Sequence, residues 1–174
     1  MYMFFYILIF LLIVSHELGH FLAGWYLGIP KDRMKIQLFK YPPQVLLIDD
    51  SGAKIPLKNF EKYLEILERY FSSEKDFWLY ITGGHIFEFV VALALSIFAF
   101  LSDLLPVLAV RSSVRFILLI SLIYIVIDII VTLYLKNPFG DFSGAWMTKP
   151  FATLIFYFLY FGGYIWLYIF LKAN

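Results

Sequence analysis

The sequence predicts an all-α membrane protein: four transmembrane helices, with a small cytoplasmic insertion made of a β-hairpin plus an amphipathic helix. Three observations predict it. Of 174 residues, 62% are hydrophobic, 21% aromatic and only 16% charged, whereas a soluble domain carries about 45–50% apolar and about 25% charged residues. Four apolar segments, at about 3–27, 78–102, 114–135 and 151–171, reach the roughly 20 residues that a helix needs to cross hydrocarbon. Between the first two lies a polar stretch, about 29–77, with a different patterning. The length suits a single membrane domain over 1–174.

The first apolar segment has neither a basic leading region nor a small-residue cleavage site, so it is expected to stay in the chain. In the insertion, "RMKIQLFK" alternates polar and apolar residues, and "QVLLIDDSGAKIPL" sets an Asp-Ser-Gly turn between two strand-like runs. This predicts a hairpin or small sheet. "LKNFEKYLEILERYF" follows with Phe60, Tyr63, Leu64, Leu67, Tyr70 and Phe71 on one helical face. Such a helix lies on the membrane surface or packs on the hairpin.

Lysine and arginine bias sets the expected orientation. The insertion carries Lys31, Arg33, Lys35, Lys40, Lys54, Lys58, Lys62, Arg69 and Lys75, and Lys136 and Lys149 fall on the same side. Arg111, Arg115 and Lys172 fall on the other. Both termini are therefore expected outside and the insertion in the cytoplasm, in the cell membrane. A net charge of +1 with no basic tract gives no ground for a nucleic-acid partner. The lack of cysteine excludes disulfides and thiolate metal sites.

Chemistry is concentrated in "VSHELGHFLAG", residues 14–24. Ionisable side chains inside a span are costly and mark functional sites. Residues four apart share a helix face, so His16 and His20 can present imidazoles to one ion while Glu17 stands beside it as a base. This is the HExxH logic of zinc hydrolases, in which two neutral nitrogen ligands leave an open position for water. Only three histidines occur in the chain, and two form this pair. Gly19, Ala23 and Gly24 would let another helix approach closely. A di-iron centre is excluded by counting, since the chain lacks the histidines or the repeated Glu-x-x-His pairs it needs.

A catalytic zinc site expects a third protein ligand. The candidates are Asp141, Asp128, Glu88 and His85. Asp141 sits in "KNPFGDFSGAW", where Pro138 and Gly140 break helical geometry and let a carboxylate turn inward. The third span delivers it to the same end as His16 and His20, which favours it. Asp128, about two turns before the end of that span, is the main rival. His85 and Glu88, three apart in "ITGGHIFEFVVALA", can bond a ligand, steady an oxyanion or orient substrate. Asp141 also has a plainer reading as an aspartate in a surface turn, and Asp128, His85 and Glu88 as polar contacts between helices.

"HELGH" in a first span, "TGGHIFEFVVALA" opening a second and "NPFGDFSG" ending a third together resemble the site-2 protease family of intramembrane zinc metalloproteases. The resemblance covers a three-span core and leaves the fourth span as an extra helix. It implies one zinc per chain held by His16, His20 and Asp141, with Glu17 as the base. It also implies Asn137 as a contact to substrate backbone and residues 33–57 as a membrane-associated hairpin. The spacing of Asn137, Asp141 and Gly144, and Gly83-Gly84 with Glu88 in the second helix, depart from the family pattern and mark a divergent, minimal member. The expected activity is hydrolysis of a peptide bond in or near a transmembrane segment of a membrane-protein substrate. The alternatives are a catalytically inactive, protease-like membrane protein that binds helices or metal, and a zinc hydrolase acting on lipid.

Overall fold

The computed structural model describes residues 2–40, 42–102 and 104–173. Among them are four helices long and apolar enough to span a membrane: α1 (Tyr2–Tyr26), α3 (Glu74–Leu101), α4 (Val107–Leu135) and α6 (Pro150–Ala173). At about 1.5 Å per residue, each exceeds the roughly 30 Å of hydrocarbon in a bilayer. Apart from its two ends, such a helix satisfies its backbone polar groups internally, the condition for crossing lipid. Large apolar side chains such as Phe10, Leu119, Ile130 and Phe158 remain on the outside, where acyl chains would cover them. The chain is a multi-pass membrane protein.

Two spans begin earlier than hydropathy alone predicts. α3 starts at Glu74 because Ser73 caps it: the Ser73 hydroxyl accepts from Asp76 N at 3.3 Å, while the Asp76 carboxylate accepts from Ser73 N at 2.9 Å. That reciprocal box fixes a helix start regardless of polarity. α4 begins at Val107, seven residues before the expected 114, and takes in Arg111 and Arg115. Ala109, Val110 and Ser113 are buried against neighbouring spans, while arginine stems can lie along apolar surface with their heads in water.

α1 and α3 cross through small residues. A Cβ on Gly19 would collide with the Gly83 carbonyl oxygen and come within 2.8 Å of Phe87 Cβ. One on Gly83 would lie 2.6 Å from Ala23 Cβ. Backbone thus meets backbone at this crossing, as in other small-residue interfaces.

The insertion forms a three-stranded antiparallel sheet in the order β1 (Met34–Gln37), β2 (Gln44–Ile48) and β3 (Lys54–Ile55). Met34 pairs with Leu47, and Leu47 with Ile55. The expected Asp-Ser-Gly turn joins β2 to β3. Gly52 takes φ +80° there, and Asp49 Oδ1 accepts from both Ser51 N and Ala53 N at 2.9 Å. α2 (Phe60–Glu68) packs on this sheet, burying Tyr63, Ile66 and Leu67 with Val45, Leu47 and Ile55. The Tyr63 hydroxyl lies 3.1 Å from Val45 O and 2.6 Å from the Tyr80 hydroxyl, tying the insertion to α3.

Beyond α4 the chain breaks at Lys136, which is left-handed at φ 59°. It restarts as α5 (Asp141–Thr148). Pro138 and Gly140 had marked the break in the sequence; the eight-residue helix after it was not foreseen.

Candidate metal centre

α1 stacks His16 and His20 one turn apart with their Nε2 atoms 3.2 Å from each other. The start of α5 brings Asp141 Oδ2 to 3.0 Å from His16 Nε2 and 3.3 Å from His20 Nε2. Three donor atoms from two distant parts of the chain therefore form one small triangle. They are among the groups here that can hold a metal ion. An ion held tetrahedrally at about 2.05 Å places any two of its ligand atoms about 3.3 Å apart. The three observed edges match that spacing.

The opposite ring nitrogens are also engaged. His20 Nδ1 lies 3.0 Å from the Tyr80 carbonyl. A carbonyl only accepts, so Nδ1 carries the proton and Nε2 of the neutral ring is left with its lone pair. His16 Nδ1 lies 3.1 Å from Glu88 Oε2. Metal-binding histidines are usually supported in this way, through a carbonyl or carboxylate behind the ring. Gly84 completes the cradle from α3: a Cβ there would lie 2.5 Å from His20 Nε2 and 2.9 Å from His16 Nε2. Any other residue would fill the space that the imidazoles face.

Glu17 is buried, with 7% of its surface exposed. His85 enters from α3 with its ring centroid 4.6 Å from that of His16 and its Nε2 3.7 Å from Asp141 Oδ2. Its Nδ1 is buried and has no partner among the described residues. A second grouping of possible ligands, His16, His85 and Glu88, shares His16 with the first. Glu88 is already engaged, however: its Oε1 accepts from Tyr160 and Tyr164 at 2.9 and 2.7 Å.

The two remaining sequence candidates sit elsewhere. Asp128 is fully buried and faces the chain break. Its Oδ1 accepts from Thr132 Oγ1 at 3.1 Å, Gly140 N at 2.9 Å and Ser143 Oγ at 2.6 Å, and its Oδ2 accepts from Ser143 N at 2.9 Å. It builds the turn that delivers Asp141. Asn137 is exposed and lines a surface cleft with Lys58, Asn59, Phe60, Glu61 and Lys62, so the structure does not bring it into the histidine cluster. Sequence reading missed Ser143, Tyr160 and Tyr164. The tyrosines did leave a signal, two polar tips four residues apart on one face of an apolar span.

Comparison of the chain with protein-family models, curated proteins and solved structures finds no match.

Proposed function

We propose that the chain is an intramembrane zinc metalloprotease, similar in its working parts to the site-2 proteases, that hydrolyses a peptide bond in or near a transmembrane segment of another membrane protein. The observation that carries this is the convergence of His16 Nε2, His20 Nε2 and Asp141 Oδ2, inside a helix whose sequence also supplies Glu17. A zinc ion held there would polarise the scissile carbonyl and lower the pKa of water from about 15.7 to about 7.

Glu17 would take a proton from the attacking water as its oxygen bonds to the carbonyl carbon. It would return that proton to the amine as the C–N bond breaks. His85, whose Nε2 lies 3.7 Å from Asp141 Oδ2, is the group that would steady the oxyanion. A helical substrate hides its carbonyls in intrahelical bonds and must be locally unwound. β1 is the outer strand of its sheet, and its edge offers a template for pairing an unwound segment. Asn137, exposed beside α2, would contact that segment's backbone. In this reading the insertion, with its nine basic residues, would lie in the cytoplasm and both termini outside.

The rival reading is an inactive, protease-like protein, and one observation favours it. His16 bridges Asp141 and Glu88 through its two ring nitrogens, so a protonated ring could clasp α1, α3 and α5 together without an ion. Purified protein and its Glu17→Gln variant distinguish the two, assayed for zinc per chain and against a panel of single-span substrates. One zinc in both forms with cleavage by wild type alone is expected. Equal cleavage by the variant would overturn the role of Glu17, and no zinc in either form would favour the clasp.

A further inference from the structure

The fourth span, α6, carries none of the histidines and not Asp141, yet it reaches the cluster. Tyr160 and Tyr164 are buried, at 5% and 0% exposure, and both donate to Glu88 Oε1. Glu88, itself 5% exposed, turns its other oxygen to His16 Nδ1 at 3.1 Å. A carboxylate this deep is tolerated only when its lone pairs are bonded, and here three donors from two other helices bond it.

We propose that α6 orients His16: Tyr160 and Tyr164 fix Glu88, and Glu88 keeps the proton of His16 on Nδ1, so that Nε2 faces Asp141 and His20 as a ligand atom. Glu88 is thus a positioning residue and not itself a ligand. The placement of the proton follows from the contact. With Nδ1 bare, its lone pair would face the lone pairs of Glu88 Oε2 at 3.1 Å with no hydrogen between them. Asp141 Oδ2, 3.0 Å from Nε2, makes the same demand on the other ring nitrogen until an ion takes the place of that second proton. The consequence for metal binding rests on the zinc reading above; the placement of the proton does not.

Two measurements test the network. The first is side-chain nitrogen NMR of histidine-labelled protein without metal, with the His16 signals assigned by substitution. A proton-bearing, hydrogen-bonded His16 Nδ1 is expected in wild type, with that preference weakened in Glu88→Gln and in Tyr160→Phe/Tyr164→Phe. A bare Nδ1 in wild type, or spectra unchanged in both variants, overturns the proposal. The second is zinc affinity by chelator competition, together with the visible spectrum of the cobalt(II)-substituted protein. Glu88→Gln should still take one ion at saturation, but with affinity about 10–100-fold weaker and an altered cobalt band. The tyrosine changes should weaken binding in wild type and add little on top of Glu88→Gln. Loss of stoichiometric binding in Glu88→Gln would make Glu88 a ligand and overturn the proposal. So would tyrosine variants that lose thermal stability while keeping wild-type affinity and cobalt spectrum. Wild type that takes no zinc but keeps the proton on His16 Nδ1, lost on Glu88→Gln, defeats the metalloprotease reading and supports the network.

Discussion

Asp128 grips Ser143 twice, through the backbone N–H at 2.9 Å and the hydroxyl at 2.6 Å. It also accepts from Gly140 N at 2.9 Å. Those two residues flank Asp141, so one buried carboxylate in α4 fixes the loop on both sides of the residue that faces His16 and His20. An aspartate that looked like a rival ligand in the sequence is instead the support for the other one.

The two aspartates should therefore fail differently. Asp128→Ala orphans the Ser143 amide, at about 1–3 kcal/mol, leaves Gly140 N only its longer bond to Ser143 Oγ at 3.3 Å, and should lower both the stability of the metal-free protein and its zinc affinity. Asp141→Ala should abolish tight zinc binding with little loss of metal-free stability. Thermal unfolding without metal, paired with zinc per chain, checks both. The assignment fails if Asp128→Ala loses zinc at wild-type stability.

Gly84→Ala probes the cradle. Alanine is the better helix former by about 1 kcal/mol, and Gly84 lies inside α3, so the helix itself should form. The new methyl would meet His20 Nε2 at 2.5 Å and His16 Nε2 at 2.9 Å and push the imidazoles apart. Zinc affinity should drop about a hundredfold, on the order of 2.7 kcal/mol. A variant that binds zinc as tightly as wild type would show that the imidazoles do not share one ion.

How legible this was in the sequence depended on whether the signal was local. The four spans, the 49–53 turn and the apolar face of α2 follow from composition and period, because one segment's own residues decide them. His16 and His20 share a face for the same reason, and the small residues on α1 foretold the close crossing with α3. The partners of Glu88 and Asp128 depend on which helices meet, and one chain's periodicity does not encode that. α5 was hidden because Pro138 and Gly140 read as irregular, although Ser143 Oγ accepts from the amides of Phe139 and Gly140 ahead of that helix. The starts of α3 and α4 were placed too late for a simpler reason: hydropathy locates lipid-facing residues, and these helices continue beyond them.

Asp49 gives the insertion a pH dependence. The Lys62 ammonium, 2.5 Å from Oδ2, is the main cause that holds its carboxyl below the usual carboxylate range, followed by the Ser51 hydroxyl on Oδ1. A group depressed on folding stabilises the fold above its unfolded pKa, about 3.9. It loses that contribution as pH falls from there through the lower folded value. Protection of the Ser51 and Ala53 amides against hydrogen exchange, corrected for intrinsic rate, should hold from pH 7 to about pH 4 and decline below it. Asp49→Asn should flatten the profile. Undiminished protection of wild type at the acid end would show that the carboxylate does not hold this turn.

Of the three tyrosines that line the inner face of α6, only Tyr157 should be better replaced. All three are buried, but Tyr160 and Tyr164 donate to Glu88, whereas the Tyr157 hydroxyl has no partner among the described residues. Its ring is well placed, edge-on to His85 at 5.3 Å and to Phe142 at 5.2 Å between centroids, so phenylalanine would keep the packing. A buried hydroxyl without a bond costs about 1–3 kcal/mol. Tyr157→Phe should recover on the order of 1 kcal/mol as a higher unfolding temperature, with zinc affinity unchanged. Tyr164→Phe should move stability the other way, because it strips a donor from a buried carboxylate. A Tyr157→Phe variant that unfolds more easily than wild type would mean that the phenol has a partner, and the polar contacts around His85 would then have to be redrawn to include it.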